Sequence, residues 1–201
     1  FHQWRINGRF PDVFDDKEKG SEAKKLYTDA MEMLRLIEQE KILTASAVLG
    51  FFKASSHNES IVLNPGKNQE RSLLFSRNQV RKDGKEKNLC LSDFIAPKDS
   101  KIDDYLGLFS LTTGLGIELW EEKFKADNDD YSAIMLRIIA DCLAEAFAEE
   151  LHLLVRTQWW GYSPDENLSI KELLSGKYRG IRPAPGYPAC PDHSQKAIIF
   201  D

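Results

Sequence analysis

The chain has 201 residues, 42% of them hydrophobic and 29% charged, a balance that suits one globular domain, or one domain with an extension. Its net charge of −5 argues against nucleic acid as the main partner, because phosphate binding asks for a basic surface. No apolar run has membrane-spanning length, no signal peptide opens the chain, and the scattered Cys90, Cys142 and Cys190 supply neither a disulfide framework nor a zinc site, so a cytoplasmic protein with no membrane partner is predicted.

Phe1, Trp4, Phe10 and Phe14 make an aromatic opening, in which Asn7-Gly8 fits either a hairpin turn or a short helix ended by glycine. From Ser21 to Lys41 apolar residues recur at helical spacing, with Ser21 as the expected cap. Residues 47–52 and 60–63 read as strands joined by a polar turn over 55–59, and Asn64-Pro65-Gly66 ends the second. Lys67 to Asn88 read as a surface excursion anchored by Ser72-Leu73-Leu74-Phe75. Residues 89–95 resume apolar packing, and Pro97 stops it.

Tyr105 to Leu111 form a strand apolar on both faces, followed by Gly114-Leu115-Gly116 and a helix over 117–126. Strand, Gly-x-Gly and helix invite a phosphate-loop reading, but the third glycine of a dinucleotide fingerprint is missing and no Gly-Lys-Ser/Thr follows, which argues against it. The strongest helix runs from Asp129 to Trp159, capped by Asp129 or Asp130. A capping box at Ser169-Ile170-Lys171-Glu172 opens a short helix through Leu174. Early strands, later long helices and a hairpin instead of alternating βα units predict an α+β fold with an antiparallel sheet.

The chain then enters Ile181-Arg182-Pro183-Ala184-Pro185-Gly186-Tyr187-Pro188-Ala189-Cys190-Pro191, which holds four of its eight prolines. Each proline fixes φ, lacks an N–H and pushes its predecessor toward extended backbone, which predicts a stiff ribbon. Such a ribbon can be a rigid connector, or a preformed edge with small Ala184 and Gly186 for close approach and Arg182 for a carboxylate. Elsewhere, Cys190 and His193 fit two ligands of a metal, but no second pair exists. Glu145 sits among apolar neighbours on the long helix, where a crowded carboxylate needs a partner. Trp159, Trp160 and Tyr162 read as rim packing or as a stacking wall for a flat ligand.

The run from Arg182 to Pro191 resembles the signature of the activation domain of cobalamin-dependent methionine synthase. Ala96-Pro97-Lys98, Asp129-Asp130-Tyr131, the stretch 143–149 and Trp160-Gly161-Tyr162 agree in order, and Phe1 to Trp4 resembles the end of the family's opening motif. The resemblance covers residues 1–201 and implies one activation domain with a C-shaped α+β body that binds S-adenosylmethionine. It further implies a cobalamin held by a neighbouring domain of the same polypeptide, and a flavodoxin-type electron donor for reductive methylation of oxidised cobalt. Because the sulfonium methyl is already activated, the domain need only bind and position it, without catalytic or metal-ligating residues of its own.

Carried over by the resemblance, Arg182 holds the methionyl carboxylate, backbone around Ala184, Gly186 and Tyr187 pairs with the ligand's polar edge, and Glu145 reaches it directly or through water. The family's acidic contact to the ligand amino group falls upstream of Phe1, and its closing tyrosine falls beyond Asp201. With Phe at the start and Ile-Ile-Phe-Asp stopping in mid-pattern, a piece of something longer is predicted. The alternative is a free-standing S-adenosylmethionine-binding module with no methyl transfer of its own.

Overall fold

Helix α1, Gly20–Glu40, turns Ala23, Ala30, Met33 and Ile37 inward at helical spacing and ends on Lys41 in the left-handed region. It is one element of a computed structural model that describes residues 4–66, 69–80 and 88–200. The predicted opening at Phe1, the stretch 81–87 and Asp201 lie outside the described residues. The chain divides into two compact units, Phe1–Ala47 with Leu111–Val155, and Val48–Ser110 with Arg156–Asp201.

The first unit is helical. Ala30, Met33 and Ile37 of α1 pack with Met135, Leu136 and Ile139 of α3, Asp130–Leu154, and Leu26, Leu34, Trp120 and Phe124 close the margin. Leu136 is fully buried, so truncation to alanine there costs about 2–5 kcal/mol. Helix α2, Ile117–Ala126, has the predicted limits. It is tied to α3 by the fork of Arg137 on Glu121, at 2.7 and 2.6 Å. Gly116, at φ +98°, starts α2, and a Cβ there would fall 2.8 Å from the Ile42 carbonyl oxygen. This glycine serves a turn and a close backbone approach.

The first unit also corrects two expectations. Ser21 does not cap α1; the cap position is Lys19, two residues earlier, where the Asp16 carboxylate accepts from the N–H groups of Glu18 and Lys19. Of the two residues expected to cap the long helix, Asp129 does so, with Ser132 N–H donating to it at 2.9 Å, but the α-helical part stops at Leu154 and a π-helical turn follows over Val155–Trp159.

The second unit carries the core of a four-stranded antiparallel sheet with the order β3-β2-β1-β4. Its strands are β1 Thr44–His57, β2 Ser60–Gly66, β3 Gln69–Leu74 and β4 Asp104–Leu115. Leu63 faces Ala54 across one pairing and Ile61 faces Leu73 across the other, and these four form a buried cluster with Ile95. The sheet is larger than predicted. Ser55, Ser56 and His57 belong to β1, paired with Val62, Ile61 and Ser60, which leaves Asn58-Glu59 as the turn. Ser72, Leu73 and Leu74, expected in a surface excursion, belong to β3, with Leu73 only 1% exposed. Asn64-Pro65-Gly66 stays within β2, with an irregularity of register between Leu63 and Gly66. In each case ladder bonds from a neighbouring strand override weak local propensity.

Candidate functional site

The proline stretch is a double turn, not a straight ribbon. Tyr187 N–H donates to the Ala184 carbonyl at 3.2 Å, with Pro185 second and Gly186, at φ +100°, third in the turn. That is the residue pattern of a type II turn. Cys190 N–H then donates to the Tyr187 carbonyl at 2.9 Å across Pro188-Ala189, and Gly186 N–H donates to the Cys190 carbonyl at 2.8 Å. The N–H groups of Gly186 and Tyr187, part of the backbone expected to pair with a ligand, are therefore engaged inside the stretch. The prolines supply φ values that turns accept as readily as extended backbone, and the positive φ of Gly186 decides for reversal.

The predicted residues within this stretch sit together. Arg182 and Ala184 are half-buried, while Gly186 and Tyr187 are exposed, Tyr187 at 54%. The imidazole of His193 lies against Gly186, so that a Cβ at 186 would fall 2.6 Å from its Nε2. The small residue at 186 thus makes room for His193 as well as for the turn. Cys190 is buried, and burial, helped by Asp192, pushes its thiol up, which is the opposite of activation. Among the described residues no group of three His, Cys, Asp or Glu could hold a metal ion.

Glu145 belongs to the first unit and the other four predicted residues to the second. It lies on α3 and is exposed, so the crowded setting expected for it is not found.

Both exits of the double turn are anchored. Downstream, Asp192 accepts from Ser194 N–H at 2.8 Å and from the Ser194 hydroxyl at 2.7 Å, bonds that hold its carboxyl below the usual range. Gln195, buried at the start of α5, Gln195–Phe200, accepts the Leu74 N–H of β3 at 3.1 Å. Ile198 and Ile199 of α5 pack against the sheet cluster. This helix is absent from the sequence reading because six residues are too few for periodicity to declare.

Upstream lies the arrangement that sequence reasoning missed. Arg156, inside the π turn, is completely buried and forks onto Glu166 at 2.8 and 2.6 Å. Burial works against its charge, but the Glu166 bonds prevail and leave its pKa above the ordinary value. Its guanidinium stacks 4.3 Å from the ring of Tyr178. Arg179 donates to the Tyr162 carbonyl at 3.2 Å, and Gly180, at φ +94°, passes the Tyr162 hydroxyl so closely that a Cβ would lie 3.0 Å from it. Tyr162, Glu166, Lys177, Tyr178 and Arg179 line a cleft of about 390 Å³. The only sequence signal was the excess of aromatic and basic residues on either side of the short helix α4, Ile170–Leu174, whose predicted capping box is present. Of the predicted aromatic knot, Trp160 packs 5.6 Å from Tyr162 between ring centroids and also 5.1 Å from Phe51, while Trp159 is exposed.

The whole chain, residues 1–201, matches the protein family described as vitamin B12 dependent methionine synthase, activation domain. Among solved structures it is similar to the MetH reactivation domain bound to AdoHcy, at 43% identity and a TM-score of 0.90, covering 100% of this chain and 62% of that one. A match of sequence family over every residue, on a backbone that superposes from end to end, leaves one assignment: the chain belongs to the activation-domain family of vitamin B12 dependent methionine synthase.

Proposed function

We propose that the chain binds S-adenosylmethionine at the double turn and serves as the reactivation module of a cobalamin-dependent methionine synthase. The observation that carries this is the end-to-end similarity, at 43% identity, to a reactivation domain crystallised with AdoHcy, the molecule S-adenosylmethionine becomes on losing its methyl group. The residues present fit such a ligand. Arg182 offers a forked, half-buried cation to a carboxylate, where partial burial strengthens a charged hydrogen bond. The turn at Pro185-Gly186 is locked by its own hydrogen bonds, so little ordering entropy is lost when a ligand lies along it. Tyr187, more than half exposed, presents a ring face beside it.

In this reading the domain orients the sulfonium methyl toward a cobalamin held by a neighbouring domain of the same polypeptide. That cobalamin would supply a reduced cobalt nucleophile as methyl acceptor, with a flavodoxin-type donor as the source of the one electron needed, and AdoHcy would be the product left on this domain. The residues of this chain hold the ligand's charged end and exclude alternative poses, and none of them needs to move a proton. Glu145, exposed on α3, is tested by its own variant, Glu145→Gln, for which weaker binding is expected.

The test is titration calorimetry of S-adenosylmethionine and AdoHcy into the intact polypeptide, followed by methylation of oxidised cobalamin with a reducing partner present. Saturable binding of both ligands with methyl transfer is expected. Absence of binding overturns the proposal, and binding without transfer reduces the chain to a ligand-binding module.

A further inference from the structure

The three residues before Ile181-Arg182 are held from two sides. The Tyr178 ring lies on the buried Arg156 guanidinium, itself forked onto Glu166. Arg179 is bonded to the Tyr162 carbonyl, and Gly180 is pressed past the Tyr162 hydroxyl in a conformation that favours glycine. A buried ion pair is a weak source of stability compared with apolar side chains of the same volume. What the fork supplies is a single geometry. Its carrier is a π-helical turn, an irregularity that recurs at functional sites.

We propose that Arg156, Glu166, Tyr162 and Tyr178 form a clamp that sets the position of Arg182, which makes Arg156 and Tyr178 positioning residues for ligand recognition at the double turn. The inference rests on the ligand reading above. Only Arg179, Gly180 and Ile181 separate Tyr178 from Arg182, so rotation of the chain at Tyr178 is carried to the Arg182 guanidinium with little room to absorb it. A displacement of about 1 Å in a positioning group is enough to cost a large factor in recognition.

The experiment compares Tyr178→Leu with Tyr178→Phe in the intact polypeptide, reading ligand affinity and tryptic cleavage after Arg179. Loss of the ring in Tyr178→Leu should weaken S-adenosylmethionine binding about tenfold, a change of the size that links neighbouring elements. The same variant should speed cleavage after Arg179 without ligand present. Tyr178→Phe, which keeps the ring on Arg156, should restore both. Faster cleavage with unchanged affinity, or unchanged cleavage, overturns the inference. A wild-type protein that binds no ligand overturns the reading of function instead, and the cleavage rates still report whether the clamp exists.

Discussion

The imidazole of His193 fills the space that a side chain at Gly186 would need, and the two residues together hold the double turn in one shape. Gly186→Ala should therefore meet two penalties, a clash with His193 and a positive φ that L-residues adopt at a cost of about 1–2 kcal/mol. Urea unfolding measures the loss. Adding His193→Ala should recover only part of it, since the φ penalty remains; full recovery would show that the turn can relax.

Arg182→Ala should weaken S-adenosylmethionine binding by about 1.5–3 kcal/mol, as for loss of a charged hydrogen bond. Calorimetry that finds unchanged affinity removes Arg182 from the site.

Glu166→Ala leaves the Arg156 guanidinium buried without its carboxylate and should cost about 3–5 kcal/mol of stability. The double variant Arg156→Met, Glu166→Leu should cost far less, because the desolvation penalty disappears with both charges. Equal losses in urea unfolding for the two proteins would count against this account.

Asp129 is held below the usual carboxyl range by the Ser132 N–H. Folded Asp129 binds its proton more weakly than the unfolded chain does, so its contribution is present above the unfolded value of about 3.9 and is lost as pH falls through the folded one. The stability gap between wild type and Asp129→Ala should be open at neutral pH and narrow under acid. A gap that stays constant down to about pH 2 would mean that the charge on the cap plays no part.

Thiol labelling should follow burial. Cys142 is exposed and should react first, though partial desolvation pushes its thiol up and slows it, whereas Cys90 and Cys190 are buried and should react only on unfolding. Rapid labelling of Cys190 in the native protein would contradict the packing under the double turn.

What the amino-acid sequence determined by itself is the local part: the limits of α2, the Asp129 cap, the capping box at Ser169, and the proline signature that carries the family resemblance. Each rests on contacts between residues three or four apart, or on dihedral limits within single residues, and so needs no distant partner. Only tertiary structure decided the rest. Polar Ser55 to His57 are strand because β2 bonds them, and Leu73 is core because Ile61 faces it. Arg156 is buried because Glu166 and Tyr178, 10 and 22 residues on, close around it. The proline stretch could have run straight on propensity alone; hydrogen bonds among Ala184, Gly186, Tyr187 and Cys190, with His193 seated against Gly186, are what fold it back.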